Sequence, residues 1–139
     1  MNAEVVQIRG ITFAGKAGSG HWTIMDGSAD FRGSEGASSP KELVLIGLGG
    51  CTGADVLSIL YKMRENINRF EMNIDAETAV EHPKVFTQIH LTYKFWGKDL
   101  KSENIDKAIS LSQEKYCSVS AMLKKAVTIT YSYELKPND

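Results

Sequence analysis

Histidine, proline and cysteine are scarce in this chain. Its three histidines, His21, His82 and His90, fall in three separate segments and build no HxxxH or HExxH pattern. A metal site is therefore not expected. Lys and Arg number 16 against 17 Asp and Glu, a net charge of −1, so no basic field recommends a nucleic-acid partner. "GKAGSG" lacks the GK[ST] ending of a phosphate-binding loop and opens no obvious helix. The longest apolar stretch, 43–60, is broken by Asp55 and four glycines, so a membrane partner is not expected either. "MNAEVVQIRG" has neither a basic start nor an apolar core, and a cytoplasmic location is the expectation.

The two cysteines, Cys51 and Cys117, stand 66 residues apart. That separation fits neither a CxxC redox pair nor a zinc site. In a reducing compartment a static structural disulfide is not expected. Taken alone, both could be small apolar side chains of a core.

The 139 residues suffice for one domain, 1–139, burying roughly 68% of the surface of the unfolded chain. Residues 4–14 alternate as a strand, and "GHWTIMDG" reads as its hairpin partner. Residues 27–39 are rich in Gly and Ser and read as a loop. "SSPKEL" then opens a helix: Ser39 as N-cap, Pro40 at the first position, and Glu42 closing a capping box. This helix is expected to reach about Arg64, with an apolar first half that points to a central, buried place. "RFEMNIDAETAV" and "KVFTQIHLTYKFWG" follow as strands joined at His82-Pro83. Next come a helix over "SENIDKAISLSQEKY", a short one over "CSVSAMLKKA" and a last strand, "AVTITYSYEL". Strands arrive in groups, which predicts an α+β fold with mostly antiparallel pairing.

The first helix carries Gly47, Gly49, Gly50 and Gly53 around Cys51. Each costs a helix interior about 0.5–1 kcal/mol against alanine. They would trade helix stability for a pocket or a close approach beside the thiol. Asp55, one turn from Cys51, raises a thiol pKa unless a cation or proton donor compensates. Cys117 directly precedes a short helix, so local physics makes it the better thiolate candidate.

"SSPKELVLIGLGGCTGADVLSIL" together with "ISLSQEKYCSVSAMLKKAVTITYSYEL" resembles the OsmC/Ohr family, the osmotically inducible and organic-hydroperoxide-resistance proteins, in its YhfA-like branch. The likeness spans nearly the whole chain. It implies an intertwined homodimer whose sheets wrap long central helices. It also implies a cofactor-free thiol peroxidase that acts on small organic hydroperoxides and is recycled by a dithiol reductant. By position Cys51 resembles the peroxidatic residue and Cys117 the resolving one. Family peroxidases lower the first thiol's pKa with an arginine paired to a glutamate. Here Arg32 is the best match for the arginine. Lys41 occupies the glutamate position, and Glu42 lies one residue beyond it. A binding or scaffold protein on the same fold is the alternative.

Overall fold

The computed structural model describes residues 1–137. It divides into two compact units, Met1–Ile46 and Gly47 onward, with the boundary inside the long helix.

The first unit holds strands β1 (Ala3–Arg9), β2 (Thr12–Ala17) and β3 (Trp22–Met25), in the order β1-β2-β3 and antiparallel throughout. The single strand expected over 4–14 is thus two. Gly10 breaks it, with φ +56°, a left-handed conformation that suits glycine, and the Gln7 side chain donates to its carbonyl at 2.6 Å. "GHWTIMDG" therefore pairs with β2 rather than with the first strand. Residues 27–39 form the expected loop, with one 3-10 turn over Ala29–Phe31. Asp26 pins this loop: its carboxylate accepts the N–H groups of Gly27, Ser34 and Gly36 and the hydroxyls of Ser34 and Thr12.

α1 (Pro40–Lys62) begins where Ser39 and Glu42 predict. The Ser39 N–H donates to Glu42 Oε2 at 2.7 Å, and the Glu42 N–H donates to Ser39 Oγ at 3.3 Å, a complete capping box. The helix is long and apolar enough, by length and composition alone, to cross a membrane. Its buried side is narrower than its apolar composition suggests: Leu48, Thr52, Gly53, Val56 and Leu60.

In the second unit the sheet is β4 (Asn66–Thr78), β5 (Phe86–Lys98) and β6 (Thr128–Lys136), ordered β4-β5-β6. β4 and β5 are antiparallel, whereas β6 runs parallel to β5 because α2 (Ser102–Leu111) and α3 (Ser118–Leu123) carry the chain back. Three of the four ladders are antiparallel, so the expected pairing holds with this one exception. The period-2 pattern of β5 places Ile89, Leu91, Tyr93 and Phe95 fully inside, as does the helical stripe Ile105, Ala108 and Ile109 of α2. Phe70 of β4 packs on Phe95, with ring centroids 5.2 Å apart.

Two of the four glycines are explained by this sheet. A Cβ on Gly49 would lie 2.7 Å from Ile74 Cδ1, and one on Gly53 would lie 3.1 Å from Phe70 Cε1. They let α1 press against β4. Gly47 and Gly50 meet nothing within 4 Å.

A thiol pair beside a carboxylate

Cys51 sits in the middle of α1, half-buried, with Asp55 one turn further along. Cys117 reaches the same place by a different route. The helix expected over 102–116 ends at Leu111 and widens into a π-type turn over Ser112–Tyr116, closed by the Cys117 N–H on the Ser112 carbonyl at 2.8 Å. Ser112 and Gln113, three and four residues beyond Ile109, continue the inward stripe of α2 and are both buried, and both find partners on the core side. Ser112 Oγ and Thr52 Oγ1 are 2.9 Å apart, and Thr52 Oγ1 meets the Tyr93 hydroxyl at 2.7 Å. Gln113 Nε2 donates to Thr52 Oγ1 and to the Tyr93 hydroxyl, at 3.0 Å each. Lys124 Nζ covers the Gln113 carbonyl at 2.8 Å. The turn is thereby fastened to α1 and β5, and the chain leaves it at Cys117 in an extended conformation that starts α3.

The result is a compact cluster. The sulfurs of Cys51 and Cys117 and an oxygen of Asp55 all lie within 4.8 Å of one another. Ser112 Oγ donates to Asp55 Oδ2 at 3.4 Å, and the Ser120 N–H donates to Cys117 Sγ at 3.4 Å, so Cys117 caps α3 with its own sulfur. A cavity of about 330 Å³ opens next to Asp55, lined also by Ser58, Ile59, Lys62, Leu111 and Tyr116.

The electrostatics reverse the order expected from sequence. Burial pushes the Cys117 thiol up, and the nearby Cys51 adds to that against the opposing Ser120 donors. Burial also raises Cys51, but the Val119 N–H, the Cys117 thiol and the Ser118 hydroxyl donate to its sulfur. Together they bring it below the ordinary thiol value despite Asp55. Cys51, not Cys117, is the better thiolate. The start of α3 does favour a thiolate as the sequence suggests, but its Val119 N–H serves the sulfur of the other cysteine. At Cys51 neutral donors outweigh burial and Asp55.

Arg32 and Glu42 lie in the first unit. Arg32 ends the 3-10 turn with φ +67°, exposed, its N–H on the Ala29 carbonyl. Glu42 is held in the capping box, and the Ser39 N–H and hydroxyl keep its carboxyl below the usual range. The sequence points to Cys51, Cys117, Arg32 and Glu42 as site residues, with Asp55 as a complication beside the first thiol. It misses Thr52, Tyr93, Ser112 and Gln113, whose only signal is polarity at positions that the strand and helix periods turn inward.

A paired-thiol site on an α+β scaffold of this topology defines a class of protein, and comparison with known proteins gives the class its family. The sequence model of OsmC-like proteins matches residues 33–132, and the chain belongs to that family. It is 44% identical to protein YhfA of Escherichia coli K12 over 135 residues, 97% of this chain and 98% of YhfA. A crystal structure of a hypothetical protein from Aquifex aeolicus is 30% identical, with a TM-score of 0.86 over 99% of this chain and 97% of that one. The organic hydroperoxide resistance protein OhrB of Bacillus subtilis, at 18% identity, shares the fold, with a TM-score of 0.60 over 96% of this chain and 98% of its own.

Proposed function

We propose that the protein is a thiol peroxidase that reduces small organic hydroperoxides. The observation that carries this reading is the meeting, within 4.8 Å, of two sulfurs 66 residues apart in sequence. The Cys51 thiolate attacks the outer peroxide oxygen; the O–O bond breaks and the alcohol leaves with one proton. Cys51 is then a sulfenic acid. The Cys117 sulfur attacks Cys51 Sγ, water departs, and an intramolecular disulfide remains. A dithiol reductant restores both thiols by exchange. Kinship with hydroperoxide resistance proteins supports the same assignment.

Stopped-flow consumption of cumene hydroperoxide by the reduced protein tests it. Cys51→Ser is expected to abolish turnover. Turnover at the wild-type rate in that variant would remove Cys51 from the chemistry and the reading with it.

We further propose that the working form is a homodimer in a reducing, cytoplasmic setting. One exposed stripe of α1 consists of Gly47, Gly50, Ala54 and Ser58, side chains small enough for the backbone of another helix to approach closely. Val5, Ile8, Ile46 and Tyr61 are also exposed in the single chain.

Asp55 favours a second reading, a binding protein on the same scaffold, because a carboxylate beside the sulfurs opposes thiolate formation. The two readings separate on the rate of Cys51 alkylation against pH. A midpoint well below the free-thiol value of about 8.5 fits the enzyme, and one at or above it fits the binder.

A further inference from the structure

The peroxidase reading uses the two sulfurs and leaves Asp55 as an obstacle. The three groups together form a donor set of their own. We propose that, with both thiols reduced, Cys51, Cys117 and Asp55 bind one zinc ion and leave its fourth position open.

The chemistry of the donors selects the metal. Two thiolates favour a soft or borderline ion, and a carboxylate suits a divalent one. Calcium and magnesium require shells of oxygen. Zinc accepts sulfur and carboxylate oxygen in one tetrahedral shell, and three protein ligands with a fourth open position is its exchangeable, non-structural arrangement. The distances fit. Sulfurs held about 2.3 Å from a tetrahedral zinc are roughly 3.8 Å apart, and here all three donor atoms lie within 4.8 Å of one another. Small side-chain rotations close the shell.

Two donors are already oriented from behind. Ser112 Oγ holds Asp55 Oδ2 at 3.4 Å, and the Ser120 N–H holds Cys117 Sγ at 3.4 Å. Such outer partners fix ligand geometry at metal centres. Cys51 is only half-buried, and the cavity reaches the cluster at its Asp55 end, so an ion has a path to the donors. A divalent ion would also turn the placement of a carboxylate against two sulfurs from repulsion into ligation. The sequence argues against a metal on two grounds, the scattered histidines, of which His90 is engaged by Thr130 and Ser132, and the wide spacing of Cys51 and Cys117; the proposal departs from the second, because folding brings those two sulfurs together. A linear scan does not find ligands split between positions 51–55 and 117.

A consequence rests on the peroxidase reading: zinc and hydroperoxide compete for the same sulfurs. Zinc inhibits turnover, and oxidation ejects the metal. In that step two zinc-bound thiolates give up two electrons and become the disulfide. The hydroperoxide takes those electrons and two protons to become alcohol and water, and Zn²⁺ is released.

Titration of the reduced, metal-free, full-length protein with Co²⁺ tests the site directly. One Co²⁺ per chain is expected, with a thiolate-to-cobalt charge-transfer band that Zn²⁺ removes. Cys51→Ser and Cys117→Ser should lose the band, and Asp55→Asn should weaken binding by about tenfold or more. Far-UV circular dichroism checks that each variant is folded. If a cysteine variant is not, alkylation of Cys51 in the native protein replaces it and should also abolish the band. Absence of the band in wild type overturns the proposal, and so does a band with unchanged affinity in Asp55→Asn. Metal binding without hydroperoxide consumption by the metal-free protein would sink the peroxidase reading and leave the zinc site standing. Consumption without metal binding does the reverse.

Discussion

At the residue scale, hydrogen-bond donors decide what each ionisable group does. Cys51 and Asp26 are both held toward their charged forms by hydrogen-bond donors, N–H and O–H groups at each and the Cys117 thiol at Cys51. For Asp26 the Ser34 hydroxyl contributes most, then the Gly27 and Gly36 N–H groups, and its carboxyl lies far below the usual range. The pH dependence follows. A carboxyl with a depressed folded pKa stabilises fully above its unfolded value, about 3.9, and loses that contribution as pH falls from there toward the folded value. Asp26→Asn should therefore lower the melting temperature at neutral pH and flatten the loss of stability below about pH 4. Thermal melts from pH 7 to pH 2.5 check it, and parallel wild-type and variant curves would contradict it. Asp26 was not singled out in the sequence because nothing local marks it. Its partners at 34 and 36 converge only once the loop has closed.

At the scale of elements, the widened turn after α2 is the feature on which the site depends. Thr52 is its anchor, touching Tyr93, Ser112 and Gln113. Thr52→Val keeps the shape and removes the hydroxyl, which strips a partner from each of three buried polar groups. A loss of about 1–3 kcal/mol is expected, measured by urea unfolding. Cys117 should at the same time become more accessible to alkylation as the turn loosens. An unchanged alkylation rate would mean that the turn is held by something else. The strands β4 to β6, the start of α1 and the existence of α3 were all legible in the sequence, because alternation, a capping box and a cysteine before a short helix are local signals. The break at Gly10 and the π-type turn were not. The first depends on a left-handed glycine inside an otherwise regular alternation. The second depends on hydroxyls 41 and 60 residues from their partners in sequence. Of the pocket or close approach that the glycines around Cys51 suggest, Gly49 and Gly53 give the close approach, to the sheet at Ile74 and Phe70.

At the scale of the whole molecule, the exposed small-residue stripe of α1 bears on association. Sedimentation of the wild-type protein should give twice the chain mass of 15.3 kDa. Ala54→Trp, which puts a large ring on that stripe, should shift the protein toward monomer at micromolar concentration. A dimer unaffected by the tryptophan would place the contact elsewhere.

The central claim is that Cys51 and Cys117 act on one another within one chain. The most direct measurement is mass spectrometry of the alkylated, digested protein after one equivalent of cumene hydroperoxide. The account predicts a Cys51–Cys117 linked peptide, two hydrogen atoms lighter than the reduced pair, formed with one equivalent of cumyl alcohol. Both cysteines recovered in alkylated form, with the hydroperoxide intact, would contradict it.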